Sequence, residues 1–480
     1  MEPIPIFTIG ILSLALGAVI ICVLRARQHA QQPPCIGGWI PWLGAALQLS
    51  KAPLQFIEQS RVKYGPVFTI MAAGNRLTFV TDEEGCAAFF TSKQVDFPQA
   101  VQRAVQNTAS INKESFYKSH NAIHEMLKSR LTQTKLQLYS KKLSEEFYEH
   151  LVYLGTEGTM DLYDFVRQIM FPAVVNIIFG KETCPTNRKT VAQFEEHFRK
   201  FDEGFEYGSQ LPEYFFRDWS ESKQWLLRMF ERVVREAERN YPSEDKFKTL
   251  LHHLLDTLKG NSTSSNSMLL LWASQANANP ITFWSLAFII SRPSVYKSAM
   301  EEISSVFGKA GNEKIEISDA ELKKLPFIKC CILEAIRLRS PGAITRKVIQ
   351  PLKIHHYTIP PGDMLMLSPF WIHRNAKYFP EPAAFKPERW NKANREKNVF
   401  LDGFVAFGGG RYQCPGRWFA LMEIHMIISL ILYKFEFTLL DPVPNQSNLH
   451  LVGTQQPDGP CRVQYKKRMK AHPPELNVLH

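Results

Sequence analysis

The sequence predicts a mainly α fold with a small β region, preceded by one N-terminal transmembrane helix. Three observations lead there. Apolar residues recur at helical spacing along most of the chain, strand-like text is confined to two patches, and the N-terminus carries a long uncharged apolar run.

The uncharged run covers residues 4–24, 21 residues in all, and is long enough to span a hydrocarbon core. Arg25 and Arg27 follow at once and only Glu2 precedes it, so everything beyond residue 25 is expected on the cytosolic side. A cleaved signal peptide fits less well, because the run is long and no basic residue stands ahead of it. Residues 1–27 therefore read as a signal-anchor, and 28–44, with Pro33, Pro34, Gly37, Gly38 and Pro41, as a stiff connector. Length alone suggests about three domains. No repeat or linker divides the rest, however, so 45–480 read as a single domain. The Ser/Asn-rich stretch 260–267 is too short to separate domains and is expected to be a loop.

Within that body, 67–82 reads as a hairpin with a Gly74-Asn75 turn, and 343–368 as a second β-rich patch. Helices are expected over 141–154, 222–238, 268–290, 326–339 and 416–433. A content of 45% hydrophobic and 21% charged residues excludes a disordered, collagen-like or coiled-coil chain. The net charge of +11 points to an anionic partner, an acidic protein or a membrane surface. No basic block or basic-aromatic interleaving supports nucleic acid. The eight cysteines form no CxxC pair and suit a reducing compartment.

One cysteine stands apart. Cys414 lies in the glycine-rich stretch FGGGRYQCPG, 407–416, just ahead of an apolar helix. Backbone N–H groups of such a loop and helix start are expected to stabilise a thiolate and lower its pKa, and the glycines to let the backbone approach a flat cofactor. A lone thiolate fits neither zinc nor an iron–sulfur cluster; it fits a single axial ligand to haem iron.

Phe407, Gly410, Cys414 and Gly416 resemble the F-x-x-G-x-R-x-C-x-G loop of the cytochrome P450 superfamily. Tyr412 replaces the Arg of that pattern, with Arg411 one residue earlier. Two further motifs match: Glu334 and Arg337 in LEAIRLRSP, and Phe385, Pro387, Arg389 and Trp390 in FKPERW. The resemblance implies a cytochrome P450 fold binding haem b, with Cys414 as the axial iron ligand and Phe407, Gly410, Arg411, Tyr412 and Gly416 around the cofactor. It leaves Arg346 as the substitute partner for a haem propionate. Glu334, Arg337 and Arg389 would form a buried structural network.

The family's central helix usually carries [AG]-G-x-[DE]-T-[TS]. Here Asn277, Asn279 and Pro280 stand where Gly, the acid and Thr are expected. Pro280 has no N–H, so the helix is expected to open there, and the two amides can hold water but cannot titrate. These three residues read as lining the catalytic pocket, or else as a kinked core helix with its amides bonded to backbone. Substrate is expected to meet 98–118, 272–284, 341–346 and 449–454, with Gln275 and Asn277 orienting a sterol hydroxyl. A lone His373 reads as structural.

WASQAN followed by Pro, and QQPDGPCRVQYKKR at 455–468, are similar to the branch holding sterol 7-alpha- and 12-alpha-hydroxylases and prostacyclin synthase. Within it PPCIGGWIPWLG, GKAGNEKI, PGAITRKV, LMLSPFWIHRN and CPGRWFAL resemble oxysterol 7-alpha-hydroxylases, the likeness running from about 33 to 468. It implies an NADPH-dependent sterol monooxygenase of cholesterol catabolism and bile acid synthesis, anchored in the endoplasmic reticulum. Its substrates would be an oxysterol and molecular oxygen, its electron donor NADPH-cytochrome P450 reductase, with cytochrome b5 as an optional second donor and membrane lipid around the anchor. The altered central helix leaves open a haem-thiolate isomerase of the prostacyclin synthase kind, another sterol hydroxylase of the same branch, or a haem-based sensor.

Overall fold

The computed structural model describes residues 16–17, 31–181, 183–242, 247–260, 262–311, 313–391, 403–447 and 451–469. The expected signal-anchor lies outside them apart from Leu16 and Gly17. The chain forms two compact units, Met1–Ala100 with Ile344–Ser368, and Val101–Ala343 with Pro369–His480.

The first unit is built on a six-stranded sheet in the order Cys35–Ile36, Val67–Ala72, Asn75–Val80, Met364–Leu367, Ile344–Val348, Val95–Asp96. Its hairpin is the one expected, displaced by one residue at the turn. Ala72 faces Asn75, and the turn is Ala73-Gly74, with φ of +47° and +77°. Positive φ at both positions gives the turn a twist that matches the flanking strands. The connector is partly structured, since Cys35 pairs in parallel with Thr69. The patch at 343–368 yields four strands: Ile344–Val348, Leu352–Ile354, Tyr357–Ile359 and Met364–Leu367.

The second unit is mainly helical. The helix Ala278–Ile290 packs against Leu162–Phe179, Pro326–Arg339 and Arg417–Lys434. Leu162–Phe179 is long and apolar enough to cross a membrane, yet 78% of that stretch is buried in the protein. A helix apolar all round belongs in a core as readily as in a bilayer, and this one is a core helix. A three-stranded antiparallel sheet, Phe435–Leu439, Arg462–Lys467 and Glu157–Asp161, closes one side.

Two expectations need correction. The Ser/Asn-rich stretch at 260–267 is not a loop throughout, because a helix runs Thr263–Gln275. Thr263 and Ser267 turn inward, and the buried Ser267 hydroxyl bonds along the helix, donating to Thr263 O at 2.8 Å. That satisfies the hydroxyl without breaking the helix. The expected helix over 268–290 is two helices, Thr263–Gln275 and Ala278–Ile290. Pro280 supplies no donor for Ala276 O, and the chain opens between them.

Candidate haem-thiolate site and the break in the central helix

Cys414 is held by a loop that folds back on itself. Its N–H donates to Phe407 O at 2.9 Å, and the reversal requires left-handed backbone at Gly408 (φ +66°) and Gly410 (φ +63°). Side chains would be strained at either position. A Cβ at Gly408 would meet nothing nearer than Tyr412 O at 3.9 Å, so this face of the loop is free of side chains. Cys414 is half-buried as a residue just ahead of Arg417–Lys434, where the N–H groups of Gly416 and Arg417 both reach its sulfur. Burial nevertheless outweighs these donors and the Arg417 charge, so the thiol pKa is raised rather than lowered. This reverses the expected direction. A coordinating cation deprotonates a thiol outright, whatever its resting value. No group of three or more His, Cys, Asp or Glu suited to a metal ion occurs among the described residues. One sulfur, two N–H donors and a bare glycine face fit a planar haem with a single axial thiolate.

Behind the loop lies the network implied by the motifs. Glu334, with no exposed surface, receives Arg337 Nε and Nη2 at 2.9 and 2.8 Å, Arg389 Nε at 2.9 Å, Trp390 Nε1 at 2.9 Å and Lys386 N–H at 2.9 Å. Arg337 spends its remaining donor capacity on His373 O, Pro382 O and Ala384 O. The Glu-x-x-Arg spacing puts both side chains on one helix face, and the FKPERW segment meets them there. The assembly is fully satisfied, which a buried charge requires.

His373 connects this network to the cysteine loop. Its Nδ1–H donates to Arg337 O (3.2 Å) and its Nε2 accepts from Val405 N–H (3.0 Å). Acceptance at Nε2 needs the neutral ring, and burial with Arg337 and Arg374 nearby pushes its pKa down to about 3. His425, donating to Leu325 O at 3.0 Å, is pushed down to about 3 by burial. In the unfolded chain these rings protonate below about 6.5. Their contribution to stability is therefore whole above that pH and drains away as pH falls from about 6.5 toward 3. Denaturant midpoints measured against pH should drop over this window, and less steeply for His425→Gln.

Tyr412, in the position of the missing arginine, has the Arg411 guanidinium 5.4 Å over its ring. Two residues that sequence reading passed over flank it: His120 and His124, whose rings lie 6.1 and 5.7 Å away. They sit four apart on the helix Lys113–Arg130, a spacing that was the only available signal. Arg346 is buried in the first unit, its guanidinium 4.7 Å from each of the Phe89 and Phe97 rings.

At the helix break the three pocket residues separate in role. Asn277 Oδ1 accepts from Thr454 N–H (2.9 Å) and Oγ1 (3.2 Å), so this oxygen is engaged by the chain itself. Asn279 Nδ2 donates to Gln275 Oε1 at 3.0 Å. Pro280 is buried in the first turn of Ala278–Ile290. Of the four expected substrate segments, residues 342–343 and 451–454 meet here: Ala343 N–H donates to Leu451 O at 2.5 Å, and a Cβ on Gly342 would stand 2.6 Å from Gly453 N. Residues 449–450 lie outside the described residues.

A thiolate loop, a Glu-x-x-Arg network wired to it and a broken central helix define a haem-thiolate oxidoreductase. A sequence model of the cytochrome P450 family matches residues 33–462, and the chain belongs to that family. It is 52% identical over 460 residues to the human 24-hydroxycholesterol 7-alpha-hydroxylase, covering 95% of this chain and 98% of that protein. Identity to the mouse 24-hydroxycholesterol 7-alpha-hydroxylase is 51% over 456 residues, 94% of this chain and 97% of that one. The cholesterol 7-alpha-monooxygenase of Cricetulus griseus is 27% identical over 454 residues, 87% of this chain and 89% of the relative.

Proposed function

We propose that this chain is a haem-thiolate monooxygenase that hydroxylates an oxysterol at the 7-alpha position, with 24-hydroxycholesterol as its substrate. The observation that carries this reading is identity above one half with the human 24-hydroxycholesterol 7-alpha-hydroxylase across nearly the full length of both proteins, with Cys414 in its loop. Haem, when bound, supplies oxygen activation. The chain's own residues do the rest: Cys414 ligates, the Glu334–Arg337–Arg389 network holds the loop in place, and Arg411 and Tyr412, with His120 and His124, take the propionates. Phe407, Gly410 and Gly416 shape the face against the ring. Asn279 and Pro280 line the pocket, and Asn277 fixes its wall through Thr454.

Electrons come from NADPH by way of NADPH-cytochrome P450 reductase, with cytochrome b5 as a second donor, docking on a basic surface that includes the exposed Arg411. Residues 1–27 anchor the protein in the endoplasmic reticulum membrane, and 45–480 act as one cytosolic domain. The absence of an acid–hydroxyl pair at Asn279 and Pro280 favours one alternative, an isomerase needing neither NADPH nor external oxygen. Mass spectrometry of products from 24-hydroxycholesterol, cholesterol and a prostaglandin endoperoxide, each with and without NADPH, separates the two. A 7-alpha-hydroxylated oxysterol formed only with NADPH is expected; turnover of the endoperoxide without NADPH would sink the proposal.

A further inference from the structure

Beside the helix break lies a cavity of about 330 Å³, lined by polar groups from four helices and the segment after residue 446. Asp202 is the notable one. It projects from the helix Val191–Gln210 and is half-buried. Its Oδ1 accepts from Trp272 Nε1 at 2.9 Å, and it has no ion pair among the described residues. Trp272 is fixed in turn by stacking on Phe205, with centroids 3.7 Å apart. On the break itself, Gln275 and Asn279 share one hydrogen bond. Each keeps one buried polar atom without a partner, Gln275 Nε2 and Asn279 Oδ1. One unused donor and one unused acceptor side by side match a water molecule, which can both accept and donate. The exposed Arg199–Glu203 pair lines the same cavity and opens it to solvent.

We propose that Asp202 is the proton donor of the helix break, passing its proton to water that the Gln275–Asn279 amide pair holds in the cavity. The proposal rests on the monooxygenase reading. Hydroxylation of a C–H bond by oxygen takes two electrons, here from NADPH, and two protons, and releases one water. Asp202 loses the O–H proton to cavity water, which carries it toward the reacting oxygen, and regains one from solvent past Arg199 and Glu203. It acts through water, so it is a positioning residue that stores the proton, in place of an acid on the helix. Its protonation is near balance at neutral pH, because burial raises its pKa to about 7 against the Trp272 bond and the Arg167 charge, with Glu203 adding to the rise. Arg167 is itself engaged by Glu195 at 2.9 Å, and Arg199 and Glu206 complete the charged groups on the cavity wall. The segment 451–457 contributes no titratable side chain to it.

The test uses the full-length holoprotein with reductase, NADPH and 24-hydroxycholesterol, comparing wild type, Asp202→Asn and Asp202→Glu. Asn can still accept from Trp272, so the wall is kept while the proton is removed. Wild type should make less product per NADPH as pH rises through about 7. D202N should fall roughly tenfold below it at acid pH, with peroxide taking up the lost electrons and no titration limb; D202E should recover both. Independently of turnover, the infrared spectrum of wild type should show a protonated-carboxyl band that D202N lacks and that titrates at about 7. Coupling in D202N equal to wild type at every pH overturns the inference alone, whatever the infrared shows. A wild type that forms no product with NADPH overturns the monooxygenase reading and this inference with it.

Discussion

Cys414→Ser should abolish product formation and the thiolate-type carbon monoxide difference spectrum while leaving the protein folded. The serine oxygen can still accept from the Gly416 and Arg417 N–H groups that serve the sulfur, and the half-buried position tolerates a slightly smaller atom. The backbone bond from Cys414 N–H to Phe407 O is untouched. Loss of the spectrum with an unchanged denaturant midpoint therefore separates ligation from folding. A C414S protein that keeps the thiolate spectrum would remove Cys414 from the site.

Glu334→Gln is expected to be the most damaging conservative change to stability. The carboxylate receives five donors on two oxygens. An amide would turn an NH2 toward groups that can only donate and leave two guanidinium charges without their counter-ion. Removing one member of such a buried pair costs about 3–5 kcal/mol. Denaturant unfolding of E334Q should show a loss of that size, accompanied by poor haem retention. Arg389→Lys should be milder, because Arg389 contributes one bond to Glu334 and otherwise binds Pro380 O and Glu381 O. An E334Q midpoint within experimental error of wild type would refute the view that this network supports the loop.

The residues of that network and of the cysteine loop were legible because their chemistry is local. Three short motifs each carry a fixed spacing, and helix periodicity places Glu334 and Arg337 together before any fold is known. Pro280 was legible for the same reason, since a missing N–H acts on its own helix. The failures share a different origin. Thr263 and Ser267 look like loop residues until burial turns them inward, where tertiary context overrides composition. The hairpin turn moved by one residue because strand pairing, from Ala72 opposite Asn75, sets which two residues remain between the strands. The thiol of Cys414 shifted opposite to expectation because its N–H donors are local whereas its burial is made by the whole unit. Asp202 was invisible for a related reason. It sits among several acidic and basic residues on one helix, and only the approach of Trp272, Arg167 and the helix break distinguishes it.

The clasp between Asn277 and Thr454 bears on how this protein can be recombined with its relatives. The two positions are far apart in the chain, yet a single side-chain oxygen satisfies both donors of Thr454. Gly453 has φ +80°, and a Cβ on it would lie 2.9 Å from that same oxygen. Residues 277, 453 and 454 are thus one inherited unit, free to change only together. A chimera that imports a relative's C-terminal segment must import that relative's residue at 277 as well. Across a set of homologous sequences, substitutions at these positions should occur as matched pairs.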